Sequence, residues 1–191
     1  MTLYAWEQDG VKRRAIEQQL WDTFGQQASV LVLDMVGFTR STVERGIVHY
    51  LALINRMRQR SPAIIEAHGG RVVKFEADNC FAVFKEPALA LQAATALLEA
   101  LGAERTSSMG KEDVIGASCG IDYGDLLLIG EHDFFGAPVN RASKLGEDLA
   151  RPGQILITEE ALSRVPEQQR PAGVSMSVDV GGTSIPVVCL G

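Results

Sequence analysis

The sequence predicts an α+β fold, a ferredoxin-like βαββαβ core followed by extra strands toward the C-terminus. Three observations lead there. The continuous apolar run at 29–36, which carries Asp34 near its end and is followed by Gly37, reads as a strand buried on both faces. Two β-rich runs, 71–75 and 78–84, flank a tight turn and read as a hairpin. Helical patterns fall between and after them, giving the order strand, helix, two strands, helix, strand.

Bulk composition agrees. A chain of 191 residues with 46% hydrophobic and 22% charged side chains can build a core, which excludes disorder, collagen-like repeats and coiled coil for the whole. With 24 acidic against 18 basic residues the formal charge is -6, so neither nucleic acid nor an anionic membrane is an expected partner. Cys80, Cys119 and Cys189 are odd in number and dispersed, which indicates neither a disulfide framework nor a structural zinc and fits a reducing compartment. No N-terminal segment reads as a signal peptide and no apolar stretch is long enough to span a membrane. The protein is expected to be cytoplasmic.

Taken in order, 4–27 reads as an amphipathic helix through Val11, Ala15, Leu20 and Phe24, either covering the main domain or serving dimerisation. This sets an extension at 1–28 ahead of a main domain at 29–191. The capping-box pattern from Ser41 to Glu44, followed by Ile47, Leu51, Ile54 and Met57 at helical spacing, predicts a helix beginning near Thr42, with Pro62 kinking or ending it. After the hairpin, Pro87 opens a helix over 88–101, and 105–113 reads as a polar loop. Strands are expected at 114–121 and 126–129 about a turn at 122–125, followed by a loop at 131–136. Pro138 starts a helix running to Leu149, 154–157 is a further strand, and Gly181-Gly182 turns between two strands in 174–190.

Two acids at strand ends, Asp34 and Asp78, carry the first chemical expectation. Parallel placement of the first strand beside the hairpin would bring both carboxylates to one sheet edge, a donor set suited to Mg²⁺ or Mn²⁺ together with substrate phosphates. Solvated loop acids are the plain alternative. Between Asp34 and the next helix, Gly37 permits a tight turn whose free amides, at Gly37, Phe38 and Thr39, can bind phosphate, although an ordinary strand-to-helix turn wants the same residues. Phe134 and Phe135 read as packing residues, and His49, His68 and His132 as isolated surface or helix residues.

Three stretches together resemble the class III nucleotide cyclase catalytic domain: Val32-Leu-Asp34-Met-Val-Gly37-Phe-Thr39, Gly69-Gly-Arg-Val-Val-Lys74-Phe-Glu-Ala-Asp78, and Asp133-Phe-Phe-Gly136-Ala-Pro-Val139-Asn140-Arg-Ala-Ser-Lys144. They stand in that family's order and spacing. The resemblance implies that Asp34, Asp78 and the Met35 carbonyl hold two divalent cations, Mg²⁺ or Mn²⁺. It implies that Lys74 and Asp133 read adenine, since lysine only donates and ionised aspartate only accepts. Asn140 would orient the ribose and Lys144 stabilise the transition state. It further implies a head-to-tail homodimer, with Asp34 and Asp78 of one subunit facing Lys74, Asp133, Asn140 and Lys144 of the other. The activity so implied is conversion of a nucleoside triphosphate, ATP foremost, to its 3′,5′-cyclic monophosphate and pyrophosphate. A pyrimidine cyclase of phage defence, acting on UTP or CTP, and a degenerate nucleotide-binding regulatory domain are the alternatives.

Departures from the family pattern bear on these roles. Lys144 stands where the family has an arginine and lacks its planar bidentate fork. No lysine follows Lys144, where the family places a phosphate-binding one, and Arg40, Arg45 or Arg141 are the candidate substitutes. Glu76-Ala77 precedes Asp78 where glycine is usual, and Ala137-Pro138 replaces more polar residues.

Overall fold

A computed structural model of the chain describes residues 7–103, 105–108 and 111–191. Strand β1, Gly25–Val36, is its centre. Its even residues Val30 and Val32 pack on one face of the sheet and its odd residues Leu31, Leu33 and Met35 on the other, so burial on both faces follows from a near-continuous apolar run. It is flanked by β3, Asn79–Phe84, and β6, Gly116–Ile129, both antiparallel to it. Strand β2, Arg71–Glu76, lies outside β3; beyond β6 come β8, Ile155–Thr158, then β10, Thr183–Leu190, and β9, Val174–Val180, with only β6 and β8 running parallel. The expected α+β core with added C-terminal strands is present.

Several local expectations change. Helix α1, Gly10–Phe24, is capped by the Asp9 carboxylate but buries no residue: Val11 and Ala15 are exposed, and only Ile16, Leu20 and Phe24 are half-buried. Residues 4–6 lie outside the described ones, and 25–27 belong to β1. The single helix expected from Thr42 is two, α2 at Phe38–Arg45 and α3 at Ile47–Ala67, because Gly37 and Gly46 both adopt positive φ and break the chain direction. The capping-box residues therefore sit inside α2. In α3 the buried residues are Tyr50, Leu53, Met57, Ser61 and Ile65, while Ile47 and Leu51 are exposed. Pro62 lies within this helix without ending it: Met57, Ser61 and Ile65 anchor the same face on both sides of the proline.

Helix α4, Pro87–Ala103, forms as expected and packs with α3 on the odd-residue face of β1. The loop expected at 105–113 is a two-stranded ribbon, β4 at Arg105–Ser108 and β5 at Lys111–Val114, since backbone pairing needs no apolar side chains. The turn expected at 122–125 is absent, and β6 runs through it, paired with β1 along the whole of Gly25–Val36. Asp122 is not a turn acid but a fully buried one, bonded by Thr158 Oγ1 and Arg141 Nε. Chain reversal comes later, where β7, Asp133–Phe135, folds back on β6. The helix from Pro138 is α5, Ala137–Ser143, followed by a π-helical turn, Lys144–Leu149. There Gly146 lies flat on the strands, where a Cβ would stand 2.7 Å from Val32 O and 2.9 Å from Gly120 N. A short helix α6, Glu159–Ser163, follows β8 and was not legible beforehand. Among the described residues no helix is long and apolar enough to cross a membrane.

The β2–β3 turn is Ala77-Asp78, and Ala77 has φ 48, a left-handed value that costs a residue with a Cβ about 1 kcal/mol or more. Ala77→Gly is expected to raise Tm by about 2–4 °C in thermal unfolding, against the usual loss on introducing glycine.

Candidate active site

Antiparallel pairing, not the parallel placement expected, brings the two acids together. Asp34 lies near the C-terminal end of β1 opposite Asn79, which opens β3, so the hairpin turn carrying Asp78 arrives at that end; a parallel β3 would have carried it to the other. Asp34 is half-buried, and burial, followed by the charges of Asp78, Glu147 and Asp148, raises its pKa to about 7. Glu147 is also raised, first by burial and then by Asp148, Glu76 and Asp78, against a hydrogen bond from Ser143 that lowers it.

Helix α3 supports the Asp78 turn from one side. Tyr50 Oη donates to Asp78 Oδ2 at 2.7 Å, and Arg58 Nη2 donates to the Ala77 carbonyl at 2.7 Å while its guanidinium lies over the Phe75 ring. Tyr50 is held above the ordinary phenol range by burial, by that bond and by the charges of Asp78 and Asp34. Phe38, the first residue of α2, meets the Tyr50 ring edge-on at 4.9 Å and leaves half of its own surface open beside the Gly37 turn. The Thr39 and Arg40 side chains lie outside the described ones.

These donors fit a hard divalent cation. The Asp34 and Asp78 carboxylates, close enough that the charge of Asp78 raises Asp34, and the adjacent Met35 backbone carbonyl offer oxygen donors, and Asn79 Oδ1, beside Asp34, is buried without a protein partner. The raised Asp34 pKa reflects burial first and the neighbouring carboxylates second, and a cation bound there would favour the ionised form against both. Among the described residues no group of three or more His, Cys, Asp and Glu side chains is arranged to hold a metal ion by itself.

The same hairpin sends Lys74 elsewhere. Lys74 Nζ contacts Asp133 Oδ1 at 3.1 Å and Glu76 Oε2 at 3.4 Å, and lies over the Phe81 ring on the sheet face that α5 covers. Burial works to lower its pKa, but the bonds and charges of Asp133 and Glu76 prevail and hold it above the usual lysine range. Asp133 opens β7 and accepts the Phe134 amide. Phe134 is buried against Phe81, as expected of a packing residue, whereas Phe135 is half-exposed. On α5 Asn140 is exposed, and Lys144 just beyond it bonds Asp148 Oδ2 at 2.6 Å. Of the candidate substitute cations, Arg141 is committed to Asp122 and Arg45 is half-buried on α2. Tyr50, Arg58 and Asn79 were missed by sequence reasoning; Tyr50 continues the period of Leu53 and Met57, a pattern that marks a core position rather than a partner for Asp78.

The model of the adenylate and guanylate cyclase catalytic domain matches residues 23–184. A Rhizobium meliloti (strain 1021) protein, "Putative adenylate cyclase 3", is 28% identical over 132 residues, 69% of this chain and 22% of its own length. The chain thus spans about a fifth to a third of the curated relatives it matches. Among solved structures, the guanylyl cyclase Cya2 superposes with TM-score 0.72 at 21% identity, covering 86% of this chain and 90% of that one. The catalytic core of a rhodopsin-guanylyl cyclase with converted specificity, solved with ATPαS, gives TM-score 0.71 at 18% identity over 86% and 97%. These likenesses establish the same fold.

Asp34 titrates upward on folding, from 3.8 toward about 7, so its ionisation weakens the metal-free fold; the penalty is absent below pH 4, grows between pH 4 and 7, and is full above. Asp34→Asn should therefore raise Tm at pH 8 without metal, by about 1–2 kcal/mol or roughly 3–6 °C once solvent screening of a half-exposed group is allowed for. The gain should shrink toward pH 5, and Mn²⁺ should raise the Tm of the parent but not of the variant.

Proposed function

This chain belongs to the family of adenylate and guanylate cyclase catalytic domains, and on that premise we propose that it converts a nucleoside triphosphate, ATP first, to the 3′,5′-cyclic monophosphate and pyrophosphate at sites shared by two copies. The supporting observation is the division of labour on one hairpin: Asp78 is tied to Tyr50 at the sheet edge, while Lys74, four residues earlier, is tied to Asp133 on the α5 face. One chain thus carries two half-sites of complementary chemistry, one acidic and one with paired donor and acceptor. A head-to-tail dimer joins each to its complement.

In this reading Asp34, the Met35 carbonyl and Asp78 hold two divalent ions, Mg²⁺ or Mn²⁺. When bound, those ions supply charge neutralisation for in-line displacement at phosphorus and favour ionisation of the ribose 3′-hydroxyl. Free amides at the start of α2, from Gly37 through Thr39, donate to phosphate oxygens at the positive end of the helix. Lys74 donates to a ring nitrogen of adenine and Asp133 accepts from its exocyclic amine, which requires that their mutual contact open to admit the base. Asn140 orients the ribose, and Lys144 exchanges Asp148 for charge developing on the α-phosphate. A bond forms from the 3′-oxygen to the α-phosphorus, the bond to the bridging oxygen breaks, pyrophosphate leaves, and the hydroxyl proton passes to solvent. The expected boundary at 28/29 moves back to the start of β1, so residues 25–191 are the proposed catalytic unit, with helix α1, Gly10–Phe24, ahead of it, and the protein acts in the cytoplasm without nucleic-acid or membrane partners.

Incubation of the full chain with each of the four triphosphates and Mn²⁺ is expected to yield cyclic AMP, abolished by EDTA. Product from UTP or CTP alone rejects the adenine assignment; nucleotide binding with no product from any rejects the enzyme in favour of a binding module. Mixing Asp34→Ala with Asn140→Ala, each inactive alone, should restore up to about a quarter of parental turnover, because a mixed dimer keeps one intact site; no recovery on subunit exchange rejects the shared site.

A further inference from the structure

Helix α5 carries Asn140 and leads into Lys144, and it is short. It has seven residues, and its buried anchors are Pro138, Val139 and Ala142. Beneath it β6 presents Ser118, Gly120, Asp122 and Gly124, which share one face by strand alternation. The glycines allow close approach: a Cβ at Gly120 would run into the Ala142 carbonyl, and one at Gly124 would stand 3.0 Å from Pro138 Cγ. A helix lying on glycine backbone has few ridges to key it in rotation.

Between those glycines stands Asp122, with no solvent exposure. Its Oδ1 takes the Thr158 hydroxyl of β8 at 2.5 Å and its Oδ2 takes Arg141 Nε at 2.5 Å. A buried ion pair adds little stability over an apolar pair of the same size, but it is directional. Resting on the function proposed above, we propose that Asp122 is a positioning residue: through Arg141 it fixes the rotation of α5 on its glycine bed, and so the aim of Asn140 and Lys144 at the substrate. Arg141 is adjacent to Asn140 and three residues before Lys144, so a turn of the helix about its axis that loosened this pair would carry both away together. Ser118 Oγ, donating to Gly146 O at 3.1 Å, secures the far end of the same segment.

The test compares Asp122→Asn, Arg141→Gln and the double variant in the full chain with Mn²⁺. Asp122→Asn keeps volume and the Thr158 contact, and is expected to lower kcat at least tenfold while leaving KM for the triphosphate and the Mn²⁺ affinity measured calorimetrically within twofold. Arg141→Gln leaves a carboxylate buried and loses Tm; the double variant should recover Tm while kcat stays at the Asp122→Asn level. Amide hydrogen exchange over 139–145 should quicken at least tenfold in Asp122→Asn, with 30–33 unchanged. Parental kcat in Asp122→Asn, recovery of kcat together with Tm in the double variant, or unaltered exchange over 139–145 each overturns the proposal. A parent that converts no triphosphate defeats the proposed function instead, and the exchange comparison then decides on its own whether Asp122 holds α5.

Discussion

The pairing of β1 on both of its edges is the constraint on which the rest depends. All twelve of its residues are matched with β6 and six with β3, so its register cannot slip without breaking both ladders. A one-residue slip would exchange Val30 and Val32 with Leu31 and Leu33, turning the residues cut for α5 toward α3 and α4. That register sets Asp34 opposite Asn79 and, through the short hairpin turn, brings Asp78 to the same end. The acidic half-site is thus a by-product of how the central strand is paired, with no local motif needed to build it.

What the pairing assembles is electrostatically unfavourable while it stands alone. Asp34 and Glu147 are both raised by burial and by neighbouring carboxylates, so the fold concentrates like charge at one end of its sheet. The apolar packing of α3 and α4 below tolerates this because it closes over Leu31, Leu33 and Met35 independently of the acids. Tyr50 joins the two regions: its ring is core, and its hydroxyl donates to Asp78. Stability is held in the body of the sheet and spent at its edge, an arrangement expected where a site must wait for cations.

Features with a period or a terminating signal were readable from the amino acids. The buried strand ending in Asp34, the hairpin, the proline-started α4 and the Gly181-Gly182 turn all carried such signals, and the three motif stretches made the family legible. The failures have a common cause, because in each the deciding partner lies far away in sequence. Asp122 looked like a turn acid since Thr158 and Arg141, which bury it, are 36 and 19 residues off. Ser41 to Glu44 read as a cap, but Gly37 and Gly46 override it by breaking the chain on either side. Pro62 is tolerated because core contacts hold the helix on both sides of it, and the ribbon at 105–114 is held by backbone pairing that polar side chains do not betray. Asp34 and Asp78 were singled out with the wrong strand direction, since sequence does not state which ends of two strands meet.

The distribution of cations bears on how the proposed chemistry would be powered. Lys144 replaces a planar fork with a point charge, and no lysine lies beyond it in the chain. Arg141, one substitute that proximity suggests, is already neutralised by a buried partner and cannot turn to a phosphate without exposing Asp122 to an apolar surround without its counter-charge. Lys144 itself is differently placed, since its bond to Asp148 is an exposed pair four residues apart, of a kind worth well under 1 kcal/mol and easily exchanged for a phosphate. One arginine is therefore locked for structure while one lysine is loosely held and free to move. On the proposed reading, with a point charge in place of the fork at Lys144, more of the charge leaving with pyrophosphate would fall to the amides at the start of α2 and to the cations that Asp34 and Asp78 are proposed to hold. Turnover in such a site follows metal charge and occupancy more closely than in one furnished with an arginine and a second lysine.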